Sequence, residues 1–187
     1  MTNARLAGAE AAVRTGEGAI AAGLIADAVP HVSRIAPPFR PILETDPAYS
    51  ELPIEEGFNW VEAFAGVDDG EWYLVAFRSK HAPDADDAYL TWLDERASGA
   101  ASRHPGFMYY FIGTPRPNGN CLSFCLWRSR QEAVAATADP EHRAAMELGL
   151  PFFAHYRLER YQVAKRDGVL SFHALEASVS REQGHAA

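Results

Sequence analysis

Four runs of branched and aromatic residues alternate with two stretches of helical spacing between Glu71 and Lys165. The runs are "EWYLVAFRS" (Glu71–Ser79), "FMYYFIG" (Phe107–Gly113), "CLSFCLW" (Cys121–Trp127) and "FAHYRLERYQVAK" (Phe153–Lys165). Each predicts a strand. "PDADDAYLTWLDERA" (Pro83–Ala97) predicts a helix: Asp84 is placed to cap it, acids crowd its first turn, and Ala85, Tyr89, Trp92, Leu93 and Ala97 form one apolar stripe. Ser129 is placed to cap "RQEAVAATA", with Glu132 at the capping-box spacing. A helical pattern restarts at "DPEHRAAMEL", with Asp139 as cap and Pro140 at the first helical position. "HPG" (His104–Gly106) and "TPRPNGN" (Thr114–Asn120) break the chain between elements.

The order is therefore β-α-β-β-α-β, an α+β fold of the ferredoxin-like, split βαβ kind. Its strands are unusual in being apolar on both faces. Tyr73, Val75 and Phe77 oppose Trp72, Leu74 and Ala76, and the second and third strands repeat the pattern. Two helices cover one face of such a sheet. The simplest cover for the other is a twin sheet from a second subunit, which predicts a homodimer. Upstream, residues 1–35 are rich in alanine with four glycines and predict one or two short helices. "APPFRPILETDP" (Ala36–Pro47) predicts an extended, proline-rich arm. "FNWVEAF" (Phe58–Phe64) predicts a further strand, and Asp69-Gly70 a turn. The expected division is an arm over 1–57, a core domain over 58–166 and a tail over 167–187, the tail holding one short apolar stretch, "VLSFHAL".

Composition narrows the classes of function. The chain of 187 residues is 48% hydrophobic, 22% charged, and carries a formal net charge of −8. An acidic chain is a poor partner for nucleic acid or an anionic membrane, both of which need basic patches. No apolar run approaches the roughly 20 residues of a membrane span. Cys121 and Cys125 lie four residues apart on one strand, roughly 13 Å, too far for a disulfide or a shared metal ion. Both are expected to be reduced and buried, which points to a cytoplasmic location. The chain has no His-x-His, HExxH or CxxC, no phosphate loop, no GxGxxG and no GxSxG. Zinc hydrolysis, nucleotide cofactors and serine hydrolysis have no motif to rest on.

The β-α-β-β-α-β order, the "LWRSRQEAVAA" junction (Leu126–Ala136) and the "ADPEHRAAM…YRLERYQV" ending resemble the dimeric α/β-barrel superfamily. The style is that of its antibiotic-biosynthesis-monooxygenase-like and stress-response-like branches. The resemblance covers about half the chain. It implies two ferredoxin-like subunits packed sheet against sheet into a barrel. Members of the superfamily oxygenate polyphenolic or anthrone-like substrates without metal or flavin, bind or degrade haem, or isomerise lactones, so the fold alone fixes no function. No cofactor is expected on the first of these readings. A haem-binding protein of the same fold, or a non-catalytic dimeric module, are the alternatives.

The leading expectation is a homodimeric α/β-barrel protein that holds an aromatic or polycyclic small molecule between sheet and helices, with cofactor-independent monooxygenation as its chemistry if it is an enzyme. Its candidate base is His142, with Tyr109 and Tyr110 as orienting hydroxyls. Trp127, Arg78, Tyr73 and Trp92 are the candidate substrate-binding residues, and no metal ligand is assigned. His142 also suits a structural role at a helix start, beside Glu141 and Arg143. In haem-degrading relatives the ligand histidine lies about one turn later, where this chain has Met146. His155, Asn59 and Trp60 are weaker candidates, an edge residue and a polar–aromatic pair beside the cleft.

Overall fold

The computed structural model describes residues 34–35, 38–175 and 178–182, so the helices expected within residues 1–35 fall outside it except at Arg34–Ile35. Those two residues form a short strand, β1. The rest follow as α1 (Trp60–Ala63), β2 (Gly70–His81), α2 (Asp87–Ser102), β3 (Phe107–Phe111), β4 (Asn120–Trp127), α3 (Arg130–Ala136), α4 (Pro140–Gly149), β5 (Phe153–Arg166), β6 (Val169–Ala174) and β7 (Ser178–Glu182). The strands form one antiparallel sheet in the order β1-β3-β4-β2-β5-β6, with β7 also on β5. Its inner four, β3-β4-β2-β5, are the ferredoxin-like arrangement expected from the sequence. Among the described residues, no helix is long and apolar enough to cross a membrane.

The helix starts follow the expected chemistry with one shift. Ser129 Oγ accepts from the Glu132 amide at 3.3 Å, and Asp139 accepts from the amides of Glu141 and His142 at 2.8 and 3.2 Å. These bonds use amides that a helix start leaves without an internal partner. The helix expected from Pro83 begins later: Asp86, not Asp84, is the cap, accepting from the Tyr89 amide at 2.9 Å.

The largest departure from expectation concerns the second sheet face. The sheet does not close into a barrel, and this face is covered by the chain's own residues 39–67. Phe39, Ile42, Tyr49, Ile54, Phe58, Trp60 and Phe64 form one buried cluster with Trp72, Leu74, Leu122, Phe124 and Leu126. Phe58 sits at its centre, its ring 5.0–5.5 Å from those of Tyr49, Trp60, Phe111 and Phe124. The expected boundary at 57/58 thus cuts through a single core, and Leu170 and Phe172 of the expected tail pack against the same cluster. "FNWVEAF" is not a strand but carries the four-residue helix α1. A second subunit could reach this face only by displacing residues 39–67.

Irregular backbone is costly to bury, because its amides and carbonyls lack ladder partners. Side chains from the sheet supply them. Arg78 donates to the carbonyls of Ser50 and Leu52, both at 2.6 Å, and to Glu159 at 2.9 Å. Lys165 donates to the carbonyls of Phe64 and Val67 at 2.9 and 2.6 Å. The Tyr109 hydroxyl accepts from the Ile42 amide at 2.9 Å, and Trp60 donates to the Ile54 carbonyl at 2.8 Å.

Candidate functional site

The first sheet face is built differently. Here α2 and α4 lie over β2, β3 and β4, and a cavity of about 410 Å³ remains between helices and sheet. Strand alternation presents Phe77, Ser79, Ile112, Cys121, Ser123, Cys125 and Trp127 to it. From α2 the residues Leu90, Asp94, Ala97 and Ala101 face it, at the three- and four-residue steps that share one side of a helix. His142, Ala145, Met146 and Gly149 of α4 close the top. Gly113 lets β3 end against β4, since a Cβ there would meet the Leu122 carbonyl oxygen at 2.1 Å.

The polar groups in this wall have distinct states. The Tyr110 hydroxyl donates to Asp94 in a short hydrogen bond. Burial, with the Asp94 charge and that bond adding to it, raises the Tyr110 phenol well above its usual range, so it stays a neutral donor. Burial also pushes the thiols of Cys121 and Cys125 up to about 11 and about 12, which leaves them unreactive at neutral pH. Both are free and buried; Cys125 accepts from the Trp127 indole at 2.8 Å. Burial lowers the His142 pKa, against the opposing charge of Asp139. Its Nδ1 is buried with no hydrogen-bond partner among the described residues. At the far end, His81 Nδ1 meets the Asp87 carboxylate at 2.7 Å.

Of the residues singled out in the sequence, His142, Tyr110 and Trp127 line this cavity together. Tyr109 does not: its ring lies on the other face, fully buried, with its hydroxyl on the Ile42 backbone. One residue of register separates it from Tyr110, and that step reverses the face. Arg78 is likewise on the second face, holding the covering segment. Tyr73 points to the helix side but is packed into a cluster with Ala133 and Trp127, outside the cavity wall. Trp92 stacks on Tyr89 at 5.7 Å and lies under the Arg96 guanidinium, on the flank of α2 and outside the cavity wall. His155 pairs across the strands with Lys80, and Asn59 with Trp60 belongs to the second-face cover. The sequence reading missed Asp94, His81 and Asp87.

A model of the PB2B2.08-like family matches residues 34–176. The chain belongs to the PB2B2.08-like family. No curated protein matches it. Among solved structures, this family member is similar to SnoaB, a cofactor-independent oxygenase from Streptomyces nogalater, at 16% identity over 52% of this chain and 94% of that one, with a TM-score of 0.41. It is also similar to a putative antibiotic biosynthesis monooxygenase from Chloroflexus aurantiacus, at 22% identity over 52% and 96% of the two chains and a TM-score of 0.42. A third, from Nitrosomonas europaea and of the same description, shares 14% identity over 48% and 95%, with a TM-score of 0.43.

The donor set can be tested against haem. A haem brings two anionic propionates, whose charge a buried site has to neutralise with cations, and an iron that needs an axial ligand. His142 and Met146 stand in the wall, but no Lys or Arg among the described residues lines the cavity, while Asp87 and Asp94 do. Carboxylates would oppose the propionates. The cavity does not fit haem.

Proposed function

We propose that this protein holds an aromatic or polycyclic small molecule between its helices and sheet, and oxidises it with molecular oxygen without a cofactor. The observation that carries the reading is a mainly apolar cavity of about 410 Å³ whose wall includes a buried imidazole and a Tyr–Asp pair. Pockets of this size, apolar with a few placed polar groups, suit drug-sized ligands.

The reaction written for an anthrone balances without an added reductant. A base removes one proton from the benzylic methylene. The carbanion passes an electron to O₂, the resulting radical pair joins as a peroxide anion, and the proton returns from the base to give the hydroperoxide. Loss of water then leaves a carbonyl, so CH₂ and O₂ become C=O and H₂O. His142 is the base in this scheme: its lowered pKa keeps the ring unprotonated at neutral pH. Tyr110 stays protonated and donates its hydroxyl hydrogen bond to Asp94, which leaves its oxygen to accept from a ligand hydroxyl. Trp127 supplies a flat wall.

The experiment is oxygen uptake by the purified protein with anthrone. Uptake above the uncatalysed rate is expected, and His142→Gln is expected to lower kcat/KM by about 10²–10⁴ with melting temperature nearly unchanged. No uptake by the wild-type protein would overturn the reading. Full activity in His142→Gln would remove His142 from it.

A further inference from the structure

The cavity is long, and its two ends are chemically different. Its α2 wall runs from Asp87 to Ala101, about 21 Å at the helical rise. The strand beneath gives an independent measure: the β4 wall runs from Cys121 to Trp127, about 20 Å at the strand rise. The ends also match in register. Ser79 pairs with Cys121, and His81, two residues on, bonds Asp87, while Trp127 packs in one cluster with Ala101. His142 belongs to that second end, because Glu141 beside it bonds Arg96 and Arg103 near the close of α2. Between them the wall is mainly apolar, with Leu90, Leu93, Ala97, Phe77 and Ile112, and Thr91, Asp94 and Ser123 are among the polar groups along it. A volume of about 410 Å³ spread over that length is a slot.

The Asp87 end holds a prepared hydrogen-bonding group. The His81 side chain is 14% exposed, and its ring is fixed from two sides: Asp87 holds Nδ1 at 2.7 Å, and the Phe153 ring meets it edge-on at 5.4 Å. A carboxylate only accepts, so Nδ1 carries the proton. Nε2 is then the nitrogen left to accept, among the described residues nothing bonds to it, and His81 is part of the cavity wall. In a neutral ring it accepts from a hydroxyl. Other ionisable groups nearby include Tyr156 and Cys121 in the cavity wall, the Asp84 and Asp86 carboxylates ahead of α2, and Lys80 with His155, which face each other across β2 and β5.

We infer that His81, oriented by Asp87, is a second recognition point for the ligand, and that the slot takes an elongated, flat molecule with a hydroxyl at each end. One hydroxyl meets His81; the other reaches the Tyr110 hydroxyl, whose partner Asp94 stands seven residues, about 10 Å, beyond Asp87 along α2. The inference rests on the aromatic-ligand reading of the cavity and adds the far end to it. The phenolic hydroxyl is the chemistry His81 selects, and Asp87 is a positioning residue.

Two probes that differ only at the far hydroxyl test it: trans-4-hydroxystilbene and trans-4,4′-dihydroxystilbene, with affinities read by fluorescence titration of the full chain. The wild-type protein is expected to bind the dihydroxy probe about tenfold more tightly, the range of one well-made hydrogen bond. His81→Phe is expected to bring that ratio to about one, and Asp87→Asn to an intermediate value; binding of the monohydroxy probe reports an intact slot. Equal affinities in the wild type, or a tenfold ratio that survives His81→Phe, overturn the second recognition point and leave the aromatic-ligand reading standing. Failure of the wild type to bind either probe overturns both.

Discussion

The two faces of the sheet receive similar apolar side chains and use them in opposite ways. On one face the chain's residues 39–67 shut out solvent: Ile42, Ile54, Phe64, Leu74, Tyr109 and Phe124 are at most 1% exposed. On the other, α2 and α4 stand over the sheet and leave a slot edged with ionisable groups. The lesson is that aromatic content says little about function. Phe58, Trp60, Phe111 and Phe124 pack edge to face or stacked in a closed core. Trp127, Phe77 and Tyr110 face open space. Polar groups divide the same way. Arg78, Lys165 and Tyr109 are consumed by backbone carbonyls and amides, whereas His142 and His81 keep a nitrogen that no described residue bonds.

If the contrast is right, truncation costs most where packing is closed. Phe58→Ala is expected to lose about 3–5 kcal/mol in urea denaturation. Phe77→Ala is expected to lose clearly less, since part of its ring already lacks neighbours on the cavity side. Equal losses would break the comparison. Next in size, Arg78→Met is expected to cost about 2–3 kcal/mol, because it takes from Glu159, 9% exposed, the nearer of its two cations, leaving Arg157 at 3.4 Å, and leaves two carbonyls without a donor. Limited proteolysis should then cut within residues 46–57 first, while binding in the slot persists.

Effects on the open face are smaller and appear in other observables. Tyr110→Phe is expected to cost about 1–3 kcal/mol through the lost bond to Asp94 and to weaken hydroxylated ligands. The smallest effect is a pH dependence. The folded protein holds the His142 pKa below its unfolded value, so below about pH 6.5 the unfolded chain binds the extra proton first. Stability should therefore fall as pH drops from 7 through the unfolded pKa towards the lower folded one. His142→Gln should lessen that decline in melts at pH 5 and 7; an identical decline in both proteins would place the imidazole in solvent.

The strand alternation made both apolar faces legible from sequence, and the caps at Ser129 and Asp139 were equally plain. What covers the second face was not. Its anchors, Phe39, Ile42, Tyr49, Ile54 and Phe58, follow neither a two-residue nor a 3.6-residue period, and prolines interrupt them, so the segment reads as a loose arm. The cationic residues that secure it, Arg78 and Lys165, were the available signal. Asp167-Gly168, with both φ angles positive, is the turn that adds β6, a hairpin signal inside what reads as a tail. Asp94 was hidden among surface acids, although its spacing from Leu90, Ala97 and Ala101 puts it on the cavity side.

Isoleucine methyls distinguish the faces in one experiment. Ile112 lines the slot, while Ile42 and Ile54 lie under the covering segment at 1% and 0% exposure. In a methyl NMR titration with trans-4-hydroxystilbene, the Ile112 resonance should move in step with binding and those of Ile42 and Ile54 should stay in place. Movement of Ile42 and Ile54 with Ile112 unmoved would mean that the ligand enters beneath residues 39–67, and that the open face is not the site.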